Sequence, residues 1–247
     1  MGVDVSHYQG DIDWGQVKDS GISFAFLKAT EGTTFIDDTF VQNLQNARAV
    51  GIKVGAYHFM RATSATEARK EADYFISLIN DNGGFGVLDL PPVLDVEIAT
   101  ADTKQQITTI VRAWIRRVNN ITGRQPIIYT YPYFADQYLD VSLSDIPLWL
   151  ANYDVDQPAD RAGWTHWTFL QYSDKGEVPG IQGNVDMDEY EGTVEDLEGG
   201  VRMSAEDANK IIAFLSAAYD CTDSDDARAE FHRLANELRK ASGQPEE

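Results

Sequence analysis

Across roughly the first 195 residues, short apolar runs of strand length alternate with segments of helical periodicity, and this alternation most narrows the folds open to the chain. The strand-like runs fall at residues 2–7, 23–30, 53–59, 92–97, 126–131, 148–153, 167–172 and 185–190, eight in all. Helical stretches lie between the early ones, at about 13–20, 40–50, 65–80 and 103–122. In the last of these, Ile107, Ile110, Val111, Trp114, Ile115 and Val118 recur at the spacing of one helix face. Gly21, Gly51, Gly83 and Gly123 each follow a helical stretch, where a left-handed residue commonly ends a helix. Strands alternating with helices predict a parallel sheet, and eight of them predict closure into a barrel. The final strands are joined by short polar loops without room for full helices. The expected α/β fold is therefore an irregular (β/α) barrel: about five strand–helix units, then three strands with little helix.

The pattern breaks after the barrel, which is expected to span residues 1–194. Residues 195–200 (EDLEGG) read as a linker, and residues 201–247 turn wholly helical. Ser204 is placed to cap a first helix, with Asp207 as its capping-box partner. Ala208, Ile211, Ile212, Leu215 and Tyr219 form its apolar stripe. A second helix is expected from Asp223 or Ser224, carrying Phe231, Leu234, Ala235 and Leu238 until Gly243 and Pro245 stop it. Two helices of this length cannot close a core alone. They must dock, self-associate or bind a ligand.

With 43% hydrophobic residues among 247, the chain can bury a sizeable core. No apolar run approaches the ~20 residues that span a bilayer, so membrane insertion is not expected. Forty acidic residues oppose twenty basic ones, a net charge of −20, which argues against nucleic acid as a partner. The single cysteine, Cys221, excludes an intrachain disulfide framework. The four histidines (His7, His58, His166 and His232) show no ligand spacing, so neither a metal nor another cofactor is expected. The opening MGVDVSHYQG has no basic stretch leading into an apolar one, so no signal peptide is expected and the chain would be made in the cytoplasm.

Chemistry concentrates in Pro-Pro-Val-Leu-Asp-Val-Glu at 91–97. Alternate strand residues share a face, so Asp95 and Glu97 project the same way with α-carbons about 6.6 Å apart. They fall at the end of a barrel strand, the end that carries catalytic groups in parallel barrels. Two carboxyls this close in a partly dry mouth cannot both ionise cheaply, so one pKa should rise. A neutral carboxylic acid beside a carboxylate is what glycoside cleavage requires. An isolated Asp-x-Glu is a weak signal, and a pair of solvated acids at a strand end or a divalent-metal site is the alternative to catalysis. Asp4, in the first strand, and Asp186, in the last, strengthen it, because first and last strands of a closed barrel are neighbours. Lys28 is placed to pair with one of them; a purely structural ion-pair network is the alternative. Tyr57, Tyr129, Tyr131, Trp149, Tyr153 and Tyr172 gather near strand ends, where aromatic faces stack on sugar rings.

Together these residues resemble a known family. Gly-Val-Asp-Val-Ser-His-Tyr-Gln-Gly at 2–10, Phe-Leu-Lys-Ala-Thr-Glu-Gly at 26–32, Gly-Ala-Tyr-His-Phe at 55–59, Leu-Asp-Val-Glu at 94–97 and Leu-Trp-Leu-Ala-Asn-Tyr at 148–153 are similar to signature segments of glycoside hydrolase family 25 lysozymes. Gln171–Tyr172 and Val185–Asp186 also match, over residues 1–192 in all. The resemblance implies an irregular barrel that hydrolyses the β-1,4 bond between N-acetylmuramic acid and N-acetylglucosamine in bacterial peptidoglycan. It implies Glu97 as proton donor and Asp95 as second catalytic acid, either a nucleophile or an orienter of the acetamido group. Asp4 and Asp186 resemble the other two acids of the cluster; Lys28, Tyr57, Tyr129, Trp149, Tyr153, Gln171 and Tyr172 are candidate substrate contacts. The last strand of the family often carries Asp-x-Asn, whereas here Asp186-Met-Asp188 adds an acid. The tail has no choline-binding, SH3-like or LysM repeat. A helical pair without a signal peptide resembles a phage or prophage endolysin, released through a holin, whose residues 201–247 target the wall or self-associate. Two alternatives remain: a wall-binding module with a decayed site, and an endo-N-acetylglucosaminidase.

Overall fold

The computed structural model describes residues 1–155, 157–192 and 205–242, and the chain divides into two compact units, Met1–Glu198 and Gly199–Glu247. The proposed linker at 195–200, the cap at Ser204 and the stops at Gly243 and Pro245 lie outside the described residues.

The first unit is a closed barrel. Its strands are β1 (Gly2–Val5), β2 (Phe24–Glu31), β4 (Lys53–Phe59), β5 (Val93–Asp95), β6 (Ile127–Thr130), β7 (Leu148–Ala151), β8 (Phe169–Gly176) and β9 (Val185–Tyr190). The order runs β1-β9-β8-β7-β6-β5-β4-β2, and pairing of β1 with β2 closes the ring. The eight expected strands are all present. A two-residue strand that the pattern did not signal, β3 (Phe35–Ile36), folds back antiparallel on the end of β2.

One expectation fails. The sheet is mixed, because β9 runs antiparallel to both β8 and β1. Only residues 177–184 separate β8 from β9, and a parallel crossover needs about a dozen residues or more. A hairpin is the connection this length permits. The reversal has a functional effect: it puts the start of β9, where Asp186 stands, at the same end as the finish of β1.

Helices α1 (Trp14–Asp19), α2 (Phe40–Ala49), α3 (Ala65–Asp81), α4 (Lys104–Thr122) and α5 (Pro132–Tyr138) follow the early strands. Their starts obey local chemistry. Asp13 accepts from Gly15 and Gln16 at the head of α1, and Ser64 accepts from Glu67 at the head of α3. Thr103 and Gln106 form a reciprocal capping box on α4. Gly123 ends α4 with φ of 69°, a conformation that a side chain disfavours.

Strand alternation sorts the apolar residues into two cores. Outward-facing Val3, Leu27, Val54, Leu94, Ile128 and Leu150 pack against helical residues such as Phe75, Val111 and Trp114. Inward-facing Phe24, Phe26, Val93, Ile127, Trp149 and Phe169 fill the barrel interior. Phe26 stacks on Trp149 at 4.4 Å and meets Phe169 edge-on at 5.0 Å. Two inward glycines make room for this plug: a Cβ on Gly2 would strike the Phe24 ring, and one on Gly55 would strike Phe26. The aromatic plug keeps water out of the barrel from below.

In the second unit, α6 (Ala205–Asp220) and α7 (Asp225–Ala241) pack against each other. Ser224 caps α7 by accepting from the Ala227 amide, as its sequence position suggests. Ala208, Ile212 and Ala235 are buried, whereas Ile211 and Tyr219 are exposed, so the buried stripe is narrower than the periodicity implied. Phe214 is 78% exposed.

The plug makes the space at Gly55 a sensitive point. Gly55→Val should destabilise the barrel by about 1–3 kcal/mol through overpacking against Phe26. Urea unfolding checks this, and an unchanged midpoint would show that the interior relaxes freely around the new side chain.

Candidate active site

Above the plug the barrel interior turns polar. A cavity of about 200 Å³ opens there, with Asp4, Lys28, Tyr57, Asp95, Glu97, Tyr129, Trp149, Gln171 and Asp186 in its walls. Asp95 closes β5 and is almost fully buried. Glu97 lies two residues on, half-buried at the rim. The strand stops short of the expected residue 97, but the Val96 amide still donates to the Tyr129 carbonyl at 2.9 Å. That bond keeps the segment aligned, and both carboxyls reach the same cavity.

Their surroundings favour protons. Burial pushes Asp95 well above the usual carboxylate range, and Glu97 adds to the effect while Lys28 opposes it. One Asp95 oxygen, Oδ1, is enclosed and meets no donor among the described residues. Burial also raises Glu97, reinforced by the charge of Asp186. Both members of the pair are thus biased towards the neutral form.

The opposite wall is built by β1, β8 and β9. Asp4 and Asp186 are register partners across β1 and β9, side by side as the closure argument required. Asp4 accepts from Gln171 Nε2 at 2.7 Å. The Gln171 amide is oriented by its own oxygen, which accepts from Tyr129 at 2.9 Å and Tyr153 at 2.7 Å. Two phenols on the oxygen leave the amino group facing Asp4. Burial raises Asp186 to about 6, with Asp174 adding to the rise and contact with Asp4 opposing it. Asp188, on the same inner face one layer down, is fully buried and accepts from Trp149 Nε1 at 2.9 Å.

Three of the sequence expectations need correction. Lys28 does not pair with Asp4 or Asp186. Its Nζ donates to Glu31 at 2.7 Å and lies over the Phe35 and Phe59 rings. A bulge after Lys28 and the small β3 hairpin bring Glu31 within reach, and Arg61 holds Glu31 from the other side. Lys28 still borders the cavity, as a cation already engaged. Trp149 is no open platform, because it is only 2% exposed with one face covered by Phe26. Tyr172 points away from the cavity: alternation along β8 turns Gln171 in and Tyr172 out, where its hydroxyl lies 3.8 Å from the Met1 sulfur. Tyr153 lies beyond β7, and its hydroxyl serves Gln171.

Sequence reasoning missed Ser6, Tyr8, Gln9 and Phe59, which also line the cavity. Tyr8 is 82% exposed at the rim. Ser6 and Gln9 form a reciprocal capping box, a local pattern that was readable. The His7 amide and ring both bond Asp37 Oδ2, at 3.0 and 2.8 Å, pinning this loop to the turn before α2. That tether joins residues far apart in sequence and carried no local signal. Phe59 shares its face with Tyr57 by strand alternation.

A barrel mouth lined by carboxyls that resist ionisation defines the kind of site used by glycoside hydrolases. The family model for glycosyl hydrolases family 25 matches residues 3–181, and the chain belongs to that family. It is similar to Lysozyme M1 of Streptomyces globisporus, 40% identical over 205 residues, 78% of this chain and 68% of the relative. An N,O-diacetylmuramidase of Arthroderma benhamiae is 33% identical over 186 residues, covering 70% of this chain and 77% of the relative. Among solved structures, a bacterial lysozyme from Streptomyces coelicolor superposes with a TM-score of 0.74 at 36% identity, over 80% of this chain and 94% of the other.

The raised pKa of Asp186 has a consequence for stability. The folded state holds this proton more tightly than the unfolded chain does. Its contribution is thus present in acid and is lost as pH rises from the ordinary carboxylate range through about 6. Asp186→Asn should raise the melting temperature at pH 7 and flatten its decline between pH values of about 4 and 7. Calorimetric scans across that window measure both, and an unaltered slope would place the titration elsewhere.

Proposed function

We propose that this glycoside hydrolase is a muramidase, cleaving the β-1,4 bond between N-acetylmuramic acid and N-acetylglucosamine in bacterial peptidoglycan. The observation that carries the reading is the Asp95/Glu97 pair on one face of the cavity, with burial holding both carboxyls towards the neutral form. Glu97 stands at the open rim, where a proton can reach the oxygen of a bound glycoside. Asp95 is deeper and enclosed, suited to act on the sugar ring or its acetamido group once Glu97 has delivered its proton. Asp4 and Asp186 face the pair across the cavity, where an ionised carboxyl favours the oxocarbenium-like centre of the transition state. Tyr8, at the exposed rim, offers an aromatic face to the polymer. The reaction proceeds with retention, through a covalent Asp95 adduct or through the substrate's own acetamido group; a fluorinated sugar trap distinguishes these.

The cellular setting in this reading is a phage or prophage endolysin, made in the cytoplasm and released to the wall through a holin. Residues 201–247 target the wall, with self-association as the competing role.

Glu97→Gln should lower kcat by about 10²–10⁴-fold with little change in folding. Near-normal lysis of purified walls by that variant would remove the basis of the assignment. Borohydride reduction of the products identifies the bond cut: muramitol at the new ends supports a muramidase, and glucosaminitol an endo-N-acetylglucosaminidase. Wall binding without new reducing ends would instead mean a binding module. Truncation after residue 196 should preserve cleavage of soluble fragments while weakening wall binding, and equal wall binding by both forms would deny the tail its targeting role.

A further inference from the structure

The two arcs of the mouth between Asp4 and the Asp95/Glu97 pair differ in charge. Going round the ring from β1, the shorter arc comprises β2, with β3 on its end, and β4. Among the described residues, the cavity lining holds one cation, Lys28, and it stands on β2 in this arc. Arg61, two residues past β4, adds a second. The longer arc, β6 to β9, presents the phenols of Tyr129 and Tyr153 and the acid Asp186, with the charge of Asp174 acting on it.

A continuous ledge of rings and cations runs along the shorter arc. The Tyr8 ring lies 4.3 Å from His7, and His7 lies 5.6 Å from Phe35. Lys28 Nζ is 5.4 Å from the Phe35 ring and 5.2 Å from Phe59, and the Arg61 guanidinium covers Phe59 at 4.7 Å. Tyr8, Lys28 and Phe59 also line the cavity, so the ledge begins inside it. Tyr8, Phe35 and the Arg61 side chain are open to solvent.

Arg61 is a placed cation. Its amide donates at 3.2 Å to Glu71 Oε2, which also bonds the His58 ring at 3.0 Å, and Glu71 and His58 are both buried. Its Nε and Nη2 donate to Glu31 Oε1 at 2.9 and 2.7 Å. Lys28 pairs with the other Glu31 oxygen, so two cations share one acid and the cluster keeps a positive charge. Nη1 takes no part in these bonds, which leaves one arm of the guanidinium for another acceptor.

On the muramidase reading, N-acetylmuramic acid supplies the anomeric carbon of the severed bond, so that ring sits over Asp95 and Glu97. It differs from N-acetylglucosamine by a lactyl arm on O3, which ends in a carboxylate or continues into an acidic peptide. A carboxylate directed into the longer arc would meet Asp186 and Asp174. Along the ledge it meets Lys28 and Arg61. We propose that the lactyl arm leaves the cavity along this ledge and that Arg61 binds its carboxylate, which makes Arg61 a specificity-determining residue. The proposal rests on the muramidase reading.

Binding to the full-length Glu97→Gln chain tests this without turnover. Three tetrasaccharides of alternating N-acetylglucosamine and N-acetylmuramic acid serve as probes. One has free lactyl carboxylates, one has lactyl groups extended by alanyl-glutamate, and one has lactyl groups converted to neutral amides. Calorimetric titration at low salt should show an acidic probe binding about tenfold or more tightly than the neutral one. The tighter of the two acidic probes identifies which carboxylate is read. Adding Arg61→Gln should abolish the discrimination while leaving the neutral probe within about twofold. Arg61→Lys keeps the charge but loses the fork, and should fall in between. If the Gln variant does not fold, the Lys variant decides alone, and parental discrimination in it overturns the proposal. Acidic probes that bind no tighter than the neutral one would also overturn it. So would an equal loss for all three probes, because Arg61 would then only brace Glu31. Products of the parent separate the two readings: no new muramic acid ends removes both, whereas cleavage without discrimination removes the ledge alone.

Discussion

Everything at the mouth of this barrel depends on water being kept out from below. Phe24, Phe26, Trp149 and Phe169 fill the lower interior, and the acids stand directly on that apolar floor. A carboxylate there loses hydration on one side and cannot regain it by a small shift. Burial is accordingly the leading cause of the raised pKa at Asp4, Asp95, Glu97, Asp186 and Asp188 alike. The mutual repulsion of the acids adds to an effect that the floor has already set. A looser floor would admit water, and the carboxyls would relax towards their ordinary behaviour.

The same scarcity of water explains the economy of donors around the acids. Gln171 serves Asp4, and two tyrosines serve Gln171 in turn. Trp149 does double duty, with its ring in the plug and its N–H on Asp188. The cation at the mouth, Lys28, is engaged by Glu31 rather than by the catalytic pair. The acids are thus held by neutral donors, which orient a carboxyl without collapsing its pKa as a direct ion pair would.

Much of this was legible from residue order, and the failures share a cause. Strand alternation places Asp95 and Glu97 together, and barrel closure places Asp4 against Asp186; both are consequences of simple periodicity. The direction of β9 escaped, although the shortness of 177–184 was visible, because alternating strands and helices were read as a wholly parallel sheet. Tyr172 was misplaced for the opposite reason: nearness to a strand end was weighed above the face to which it alternates. Lys28 and Trp149 were beyond reach. Their partners, Glu31 and Phe26, are selected by a bulge and by packing inside the closed ring, which leave no periodic trace. The His7–Asp37 tether likewise joins two loops through contacts that exist only after folding.

The reversal of β9 also governs when the site can exist. Asp4 precedes Asp186, its register partner, by some 180 positions. Until β9 has been synthesised and folded back as a hairpin, β1 has no neighbour on that side and the ring stays open. Pairing over such a separation carries a loop-closure cost and tends to come late in folding. A nascent chain therefore holds Asp95 and Glu97 well before it holds the wall that faces them. The hydrolytic centre of this protein is assembled by its final strand, and growing chains remain unarmed until the barrel is complete.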